Sequence, residues 1–457
     1  MLTVLLLILM LSLQAWHPLG CLEEERIALL HLKHSLNYPN GTSLPSWTIA
    51  HPNCCEWDSY RIVCNSSTGR VIELNLRSVR NEELGDWYLN ASLFLPFQQL
   101  NVLSLWNNNI AGWVEKKGGY ELQKLNNLEI LYLGHNLFNN SILSFVEGLP
   151  SLKSLYLSYN RLEGLIDLKE SLSSLETLGL SGNNINKLVA PRGPSNLRTL
   201  SLYNITTYGS SFQLLQSLEA FPNLTTLYLG SNDFRGRILG YDFLDLKNLE
   251  YLDLSYNTLN NSIFQTIRTM TSLKTLMLQS CNLNGQLPTT QDFLDLKNLE
   301  YLDLSYNTLN NSIFQTIGTM TSLKTLMLQS CNLNGQLPTT QDFLDLKNLE
   351  YLDLSYNTLN NSTFQTIGMM TSLKTLKLED CSLNGQIPIT QSFLNLKNLE
   401  YLELSSNTLD NNILQSIETM TSLKTLILES CKLDGQIPTA QGKVDDSYSL
   451  SRLCIFH

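Results

Sequence analysis

The chain has 457 residues with 30 Lys+Arg against 41 Asp+Glu, and the resulting formal charge of −11 excludes a nucleic-acid surface built on bulk positive charge. Hydrophobic residues make up 43%, with 24 Gly and 13 Pro, which rules out collagenous or low-complexity disorder and leaves enough apolar side chains for a core. Charged residues reach only 16%, and Asn, Ser and Thr supply the missing polarity.

Residues 2–13, LTVLLLILMLSL, form an apolar run long enough for a secretory signal and too short to span a bilayer. Ala15 and Gly20 are the candidate cleavage points, so residues 1–20 are expected to be a leader. No later segment reaches eighteen apolar residues. Next come Cys21, Cys54, Cys55 and Cys64, clustered before position 70. Behind a secretory leader such a cluster reads as disulfides, with three pairings open; a zinc site is the less favoured alternative in an oxidising compartment. The stretch ERIALLHLKHSL between the first two cysteines suggests a helix, with His31 and His34 on one face.

From Val71 onward one spacing recurs: apolar, two variable, Leu, one variable, Leu, two variable, then Asn or Cys. It begins at Val71, Leu100, Leu128, Leu152, Leu175, Leu197, Leu224, Leu249, Leu273, Leu299, Leu323, Leu349, Leu373, Leu399 and Leu423, about fifteen units, and is the leucine-rich-repeat signature. The period-two alternation of Leu252 and Leu254 predicts a short strand per unit, buried on one face and stacked in parallel with its neighbours. The predicted fold is an α/β repeat, a right-handed leucine-rich-repeat solenoid with a parallel concave β-sheet and a disulfide-linked N-terminal cap. Its expected divisions are the leader at 1–20, the cap at 21–70, repeats at 71–440 and a polar tail at 441–457.

Gly285, Gly335, Gly385 and Gly435 follow the strand at a fixed offset and are expected to take positive φ, with Asn261, Asn311 and Asn361 filling that role in alternate units. From about 241 to 440 the units repeat in pairs of 50 residues; residues 242–290 and 292–340 differ only at Arg268 against Gly318. One offset alternates Glu250, Lys274, Glu300, Lys324, Glu350, Lys374, Glu400 and Lys424, a surface ladder that helps set register. Cys281, Cys331, Cys381 and Cys431 stand where other units place Asn, and two strands of separation, about 9.6 Å, is too far for a bridge. They are expected to be free, structural thiols, with Cys454 left over in the tail. Nine sequons, at Asn40, Asn65, Asn90, Asn139, Asn204, Asn223, Asn260, Asn310 and Asn360, predict a glycosylated, secretory-pathway protein.

The strings CNLNGQLP and CSLNGQIP resemble the tail of the plant extracellular leucine-rich-repeat class, and C-x-x-x-E-x-x-A-L-L, Trp47, C-C-x-W and C-N-x-x-T-G-R-V resemble the N-terminal cap of plant leucine-rich-repeat receptors and inhibitors. The resemblance covers roughly 21–440. It implies pairing of Cys21 with Cys54 and of Cys55 with Cys64. It also implies a receptor-like protein of the defence and surface-recognition type, working with a co-receptor kinase. The chain resembles the N-terminal part of such an ectodomain, truncated before a membrane anchor; the alternative is a soluble inhibitor of a secreted cell-wall-degrading enzyme, similar to the polygalacturonase inhibitors.

No phosphate loop, nucleophile elbow or metal-protease motif appears, and the histidines are scattered, so neither catalysis, cofactor nor metal is expected. The expected activity is binding of an extracellular protein, peptide or glycan on the concave strands. The candidate contact residues are Tyr251, Asp253, Tyr256, Thr275, Met277, Gln279, Tyr301, Asp303, Tyr306, Tyr351, Asp353, Tyr356, Lys377 and Glu379, because aromatic, Met and charged groups in solvent-facing columns anchor interfaces. Trp106 and His135 belong to the same face in earlier units.

Overall fold

The computed structural model describes residues 21–38, 40–114, 124–190, 195–206, 211–234, 246–287, 296–338, 346–385, 395–410, 413, 420–431, 433 and 454–456. The expected leader and nearly all of the tail lie outside them. The chain divides into two units, Met1–Leu224 and Thr225–His457.

The first unit opens with helix α1, Glu23–Asn37, whose apolar stripe of Ala28, Leu29, Leu32 and Leu36 is buried. The disulfides are Cys21–Cys54 and Cys55–Cys64, with Cα separations of 5.6 and 5.8 Å, the pairing that the resemblance implied. The sulfurs of Cys21, Cys54 and Cys55 lie within 4.8 Å of one another, but all three are in bridges and offer no thiolate to a metal. Strand β1, Ile62–Cys64, runs antiparallel to the first repeat strand β2, Val71–Asn75, and covers its outer edge. Glu25, fully buried, ties α1 to that strand: it accepts from Arg70 Nε at 2.9 Å and from the Val71 amide at 3.1 Å. Burial raises the Glu25 carboxyl above its ordinary range, against the pull of these two donors.

Each repeat contributes a short strand because the x-Leu-x core of the consensus is extended, and in most units an Asn or Cys four residues beyond it anchors the turn. In the first unit β2 is followed in parallel by β3 (Val102–Ser104), β4 (Ile130–Tyr132), β5 (Ser154–Tyr156), β6 (Thr177–Gly179) and β7 (Thr199–Ser201). The second unit stacks β8 (Thr226–Tyr228), β9 (Tyr251–Asp253), β10 (Thr275–Met277), β11 (Tyr301–Asp303), β12 (Thr325–Met327), β13 (Tyr351–Asp353), β14 (Thr375–Lys377), β15 (Tyr401–Glu403) and β16 (Thr425–Ile427). The register is in step throughout the second unit: Leu252, Leu276, Leu302 and their successors lie opposite one another and are buried. Cys454–Phe456 pairs antiparallel with β16. Behind the leucines, Phe94, Phe97, Phe138, Phe221, Phe234, Phe264, Phe314 and Phe364 are fully buried, filling the wide side of each coil.

The anchor Asn binds two coils together. Asn307 Nδ2 donates to the carbonyls of Leu278 and Leu304 at 2.8 and 2.7 Å, while its Oδ1 accepts from the amides of Cys281 and Leu283 at 3.1 and 2.9 Å. Where Cys replaces Asn, the thiol still donates backward, Cys331 Sγ to the Leu304 carbonyl at 3.1 Å, but sulfur is a weak acceptor. The preceding coil compensates: the Leu309 amide donates to the Cys331 backbone carbonyl at 2.8 Å, as Leu259 does to Cys281 and Leu359 to Cys381. All four repeat cysteines are free and buried, and burial pushes the thiols of Cys281, Cys331 and Cys381 up to about 12. The charge ladder forms as pairs in one direction: Lys274–Glu250, Lys324–Glu300 and Lys374–Glu350 at 2.8 Å and Lys424–Glu400 at 2.7 Å, all solvent-exposed and of modest worth.

One expectation is corrected. Gly285, Gly335 and Gly385 have φ of +65 to +72°, but Asn261, Asn311 and Asn361 are not among the residues with positive φ. Asn261 and Asn311 act through their side chains, donating Nδ2 to the carbonyls of Asn284 and Asn334 in the next coil at 2.8 and 2.7 Å. The amide bridges coils where glycine would turn within one.

Candidate functional site

In the second unit the solvent-facing residues form columns across the strands. The first column alternates Tyr251, Tyr301, Tyr351 and Tyr401 with Thr275, Thr325, Thr375 and Thr425, all partly exposed. Tyr251 packs on Tyr228, ring centroids 5.0 Å apart, and burial pushes its phenol up to about 12. Beside this column Asp253, Met277, Asp303, Met327, Asp353, Lys377, Glu403 and Ile427 follow one another.

Two candidates differ from expectation here. Asp303 and Asp353 are only 6% and 5% exposed; Met277 and Met327 stand beside Asp303, and Met327 and Lys377 beside Asp353. Each accepts from its own loop, Asp303 from the Ser305 amide and Asp353 from the Ser355 amide at 2.9 Å, so both help shape the turn. Burial raises the Asp303 carboxyl, and the carboxylates of Asp353 and Asp253 add to it. Asp253, Thr275, Met277, Gln279, Lys377 and Glu379 remain partly exposed. Lys377 Nζ lies 3.8 Å from Glu403 and 5.8 Å from the Tyr401 ring centroid. Burial pulls its ammonium down, but Tyr351, Asp353 and Glu403 together raise it.

A further column stands just before the anchor residue. Tyr256, Tyr306 and Tyr356 are 51%, 47% and 42% exposed and have φ of +59, +57 and +59°. The coil imposes this left-handed turn, since each amide donates to a carbonyl of the next unit, Tyr306 to Gln329 at 2.7 Å. A bulky side chain is unfavourable there by roughly 1–2 kcal/mol. Tyr356 also donates its hydroxyl to Glu379 Oε1 at 2.7 Å, which with burial pushes the phenol up to about 12.

The first unit carries a second cluster, of which sequence reasoning singled out only Trp106 and His135. Arg77 lies over the Trp106 ring at 3.9 Å; Trp106 meets His135, and His135 meets Tyr159, both at 4.4 Å. In the neighbouring column Tyr132 stacks on Tyr156 at 4.6 Å and 10°. Trp106, Tyr156 and Tyr159 each lean over a glycine of the next coil. A Cβ on Gly134 would meet Trp106 at 2.9 Å, one on Gly179 would meet Tyr156 at 3.0 Å, and one on Gly182 would meet Tyr159 at 2.4 Å. A cavity of about 400 Å³ opens at the cap end of this strip, lined by Tyr60, Arg61, Val63, Glu73, Leu74, Asn75, Arg77, Val102, Ser104, Trp106 and Tyr132. Burial, followed by the Arg77 charge, lowers the His135 pKa, so the imidazole adds no positive charge at neutral pH. The sequence signal that marks the strip is an aromatic followed one unit later by Gly at the same or an adjacent offset.

The sequons do not share one side. Asn139, Asn260 and Asn310 accept from the Ser two residues on at the turn preceding a short outer helix, whereas Asn204, at φ +54°, occupies the same offset as His135 and Tyr159.

A family model described as leucine rich repeat N-terminal domain matches residues 22–64, and leucine-rich-repeat models match 151–169, 248–270, 298–320, 348–370 and 395–417. The chain is 34% identical over 287 residues to Cuscuta receptor 1 of Solanum lycopersicum, covering 58% of this chain and 25% of that protein. It is 38% identical over 182 residues to Receptor-like protein 9a of Arabidopsis thaliana, covering 39% and 19%. The chain thus spans about a quarter or less of these relatives' length in the matched regions. Among solved structures, a leucine-rich-repeat protein of Leptospira interrogans superposes with a TM-score of 0.55 at 24% identity, covering 76% of this chain and 89% of that one; this likeness concerns the fold.

Proposed function

We propose that this leucine-rich-repeat chain, homologous to plant receptor-like proteins, is an extracellular ligand-recognition module of a cell-surface receptor, binding a protein or peptide on its strand face and performing no chemistry of its own. The observation that carries the reading is the left-handed tyrosine column. Tyr256, Tyr306 and Tyr356 are held in a backbone conformation unfavourable for large side chains and leave about half their surface in water. The coil imposes this turn on each unit and other units fill it with Ser or Asp, so a large aromatic kept there in three units supports a role toward a partner. Tyr301, Met277, Gln279 and Lys377 flank the column on rigid strands, so little entropy is lost in ordering them on binding. A co-receptor kinase is the second partner this reading supplies.

The test is an alanine scan of the secreted protein against a ligand that it binds. Tyr306→Ala and Tyr356→Ala are each expected to weaken binding by about 1–3 kcal/mol, the scale of interface anchors, without loss of secretion. Gln265→Ala and Gln315→Ala on the outer helices are expected to change it by less than about 0.5 kcal/mol. Equal losses from both faces overturn the assignment. The buried Asp303 and Asp353 are poor probes, because their replacement disturbs the turn itself.

The same reading places the chain in the secretory pathway. Expressed in plant or insect cells, it is expected to reach the medium and to lose mass on enzymatic deglycosylation, with glycopeptides mapping to Asn260, Asn310 and Asn360; an unmodified chain retained in the cytosol contradicts it.

A further inference from the structure

Resting on the strand face as a ligand surface, the geometry of the first unit points to a binding site for an extended peptide that presents a carboxylate beside an apolar side chain. Arg77 is exposed, and among the described residues its guanidinium makes no ion pair. Its neighbour Arg61, by contrast, is 3.5 Å from Asp58 and donates to the carbonyls of Asn75 and Arg77. Stacking at 3.9 Å on Trp106 fixes the plane of the Arg77 guanidinium and leaves its N–H edges for an incoming acceptor. The charge therefore stands preorganised at the mouth of the cavity, in a chain whose formal charge is −11.

Glu73, the carboxylate in the lining, lies within β2, whereas Arg77 follows that strand by two residues, and among the described residues the two make no ion pair. Val63 and Val102 flank Glu73 on the two neighbouring strands and give that end of the groove an apolar patch, and a cavity of about 400 Å³ is in the range that holds a small ligand or a few peptide residues.

The ring geometry favours peptide over sugar. Pyranose recognition uses an open aromatic face, but Tyr132 and Tyr156 cover one another at 10°, and Trp106 has Arg77 on one face. The glycines at 134, 179 and 182 keep that arrangement in place, because any side chain there would displace a ring.

The experiment is selection of a displayed random peptide library, about 12 residues long, on the intact secreted chain. Enriched sequences are expected to carry Asp or Glu next to Phe, Leu or Ile. For a synthetic enriched peptide, Arg77→Gln should weaken binding by about tenfold or more and Arg77→Lys by less, and replacing the peptide acid by its amide should reproduce the Arg77→Gln loss on the wild-type protein. Enriched peptides without an acid, or equal binding by Arg77→Gln at unchanged secretion, overturn the site. Displacement of the peptide by oligogalacturonate in an Arg77-dependent manner assigns the groove to acidic glycans and overturns it also. Peptides insensitive to Arg77→Gln but weakened by Tyr306→Ala remove this site while leaving the broader reading intact. If no peptide is enriched on the wild-type protein, both fall.

Discussion

Replacing Asn307 by Ala is expected to destabilise the second unit by about 2–4 kcal/mol, among the largest losses for any polar side chain of this chain. Its four shortest hydrogen bonds reach the carbonyls of Leu278 and Leu304 and the amides of Cys281 and Leu283, with the Ser305 carbonyl a longer fifth at 3.3 Å. Alanine leaves these groups in a site where Asn307 itself is 4% exposed and water cannot replace it. Because a repeat array unfolds partly by segments, hydrogen exchange is the proper readout. The amides of Cys281 and Leu283 should lose protection first, while those of the first unit keep theirs. Cys331→Ala should cost less, since the thiol supplies a weak donor and the coil already satisfies Leu309 through a backbone carbonyl. Equal losses from the two substitutions would refute this account.

The second large effect concerns the cap. Removing Cys21–Cys54 by Cys→Ser at both positions is expected to cost more than removing Cys55–Cys64 in the same way. The first bridge closes a separation of 33 residues and the second only 9. Each should contribute roughly 2–4 kcal/mol, and the loop-length dependence makes the longer bridge worth about 1 kcal/mol more. Loss of the first bridge loosens α1 and loss of the second loosens β1, and either should lower the yield of secreted protein. Thermal unfolding of the secreted variants ranks the two bridges. A reversed order would mean that the 9-residue bridge acts by holding β1 against β2 rather than through chain entropy.

The strands were legible because their cause is local. Two leucines at period two dictate a strand, and every predicted unit start from Val71 to Leu423 leads into a strand of the structure, including the units of Val71 and Leu197, where Val79 and Ile205 stand at the anchor offset instead of Asn or Cys. The alternating Glu250 and Lys274 were legible for the same reason, since a fixed offset in stacked coils becomes proximity. What escaped depended on the neighbour's volume. Asp303 occupies an outward offset yet is buried, with long side chains at the same level of both flanking strands, and a neighbour's size is not a property of the Asp position. Asn261 shares its offset with Gly285, but its side chain finds carbonyls in the next coil, which makes the expected left-handed turn unnecessary. The Arg77–Trp106 strip was hidden because its members come from different repeats and become a surface only once Gly134 and Gly182 let the rings lie flat.

The alternation of Asn and Cys anchors also constrains how such an array can grow or shrink. Cys281 relies on Asn307 to accept its amide, and Leu309 in turn relies on the carbonyl of Cys331. Deleting the Asn unit between them would set thiol against thiol, whereas deleting a Cys unit would set Asn against Asn, the joint that Asn232 and Asn257 already make. A gain or loss of one 50-residue pair keeps the alternation and adds or removes one tyrosine of each column without disturbing the joints on either side.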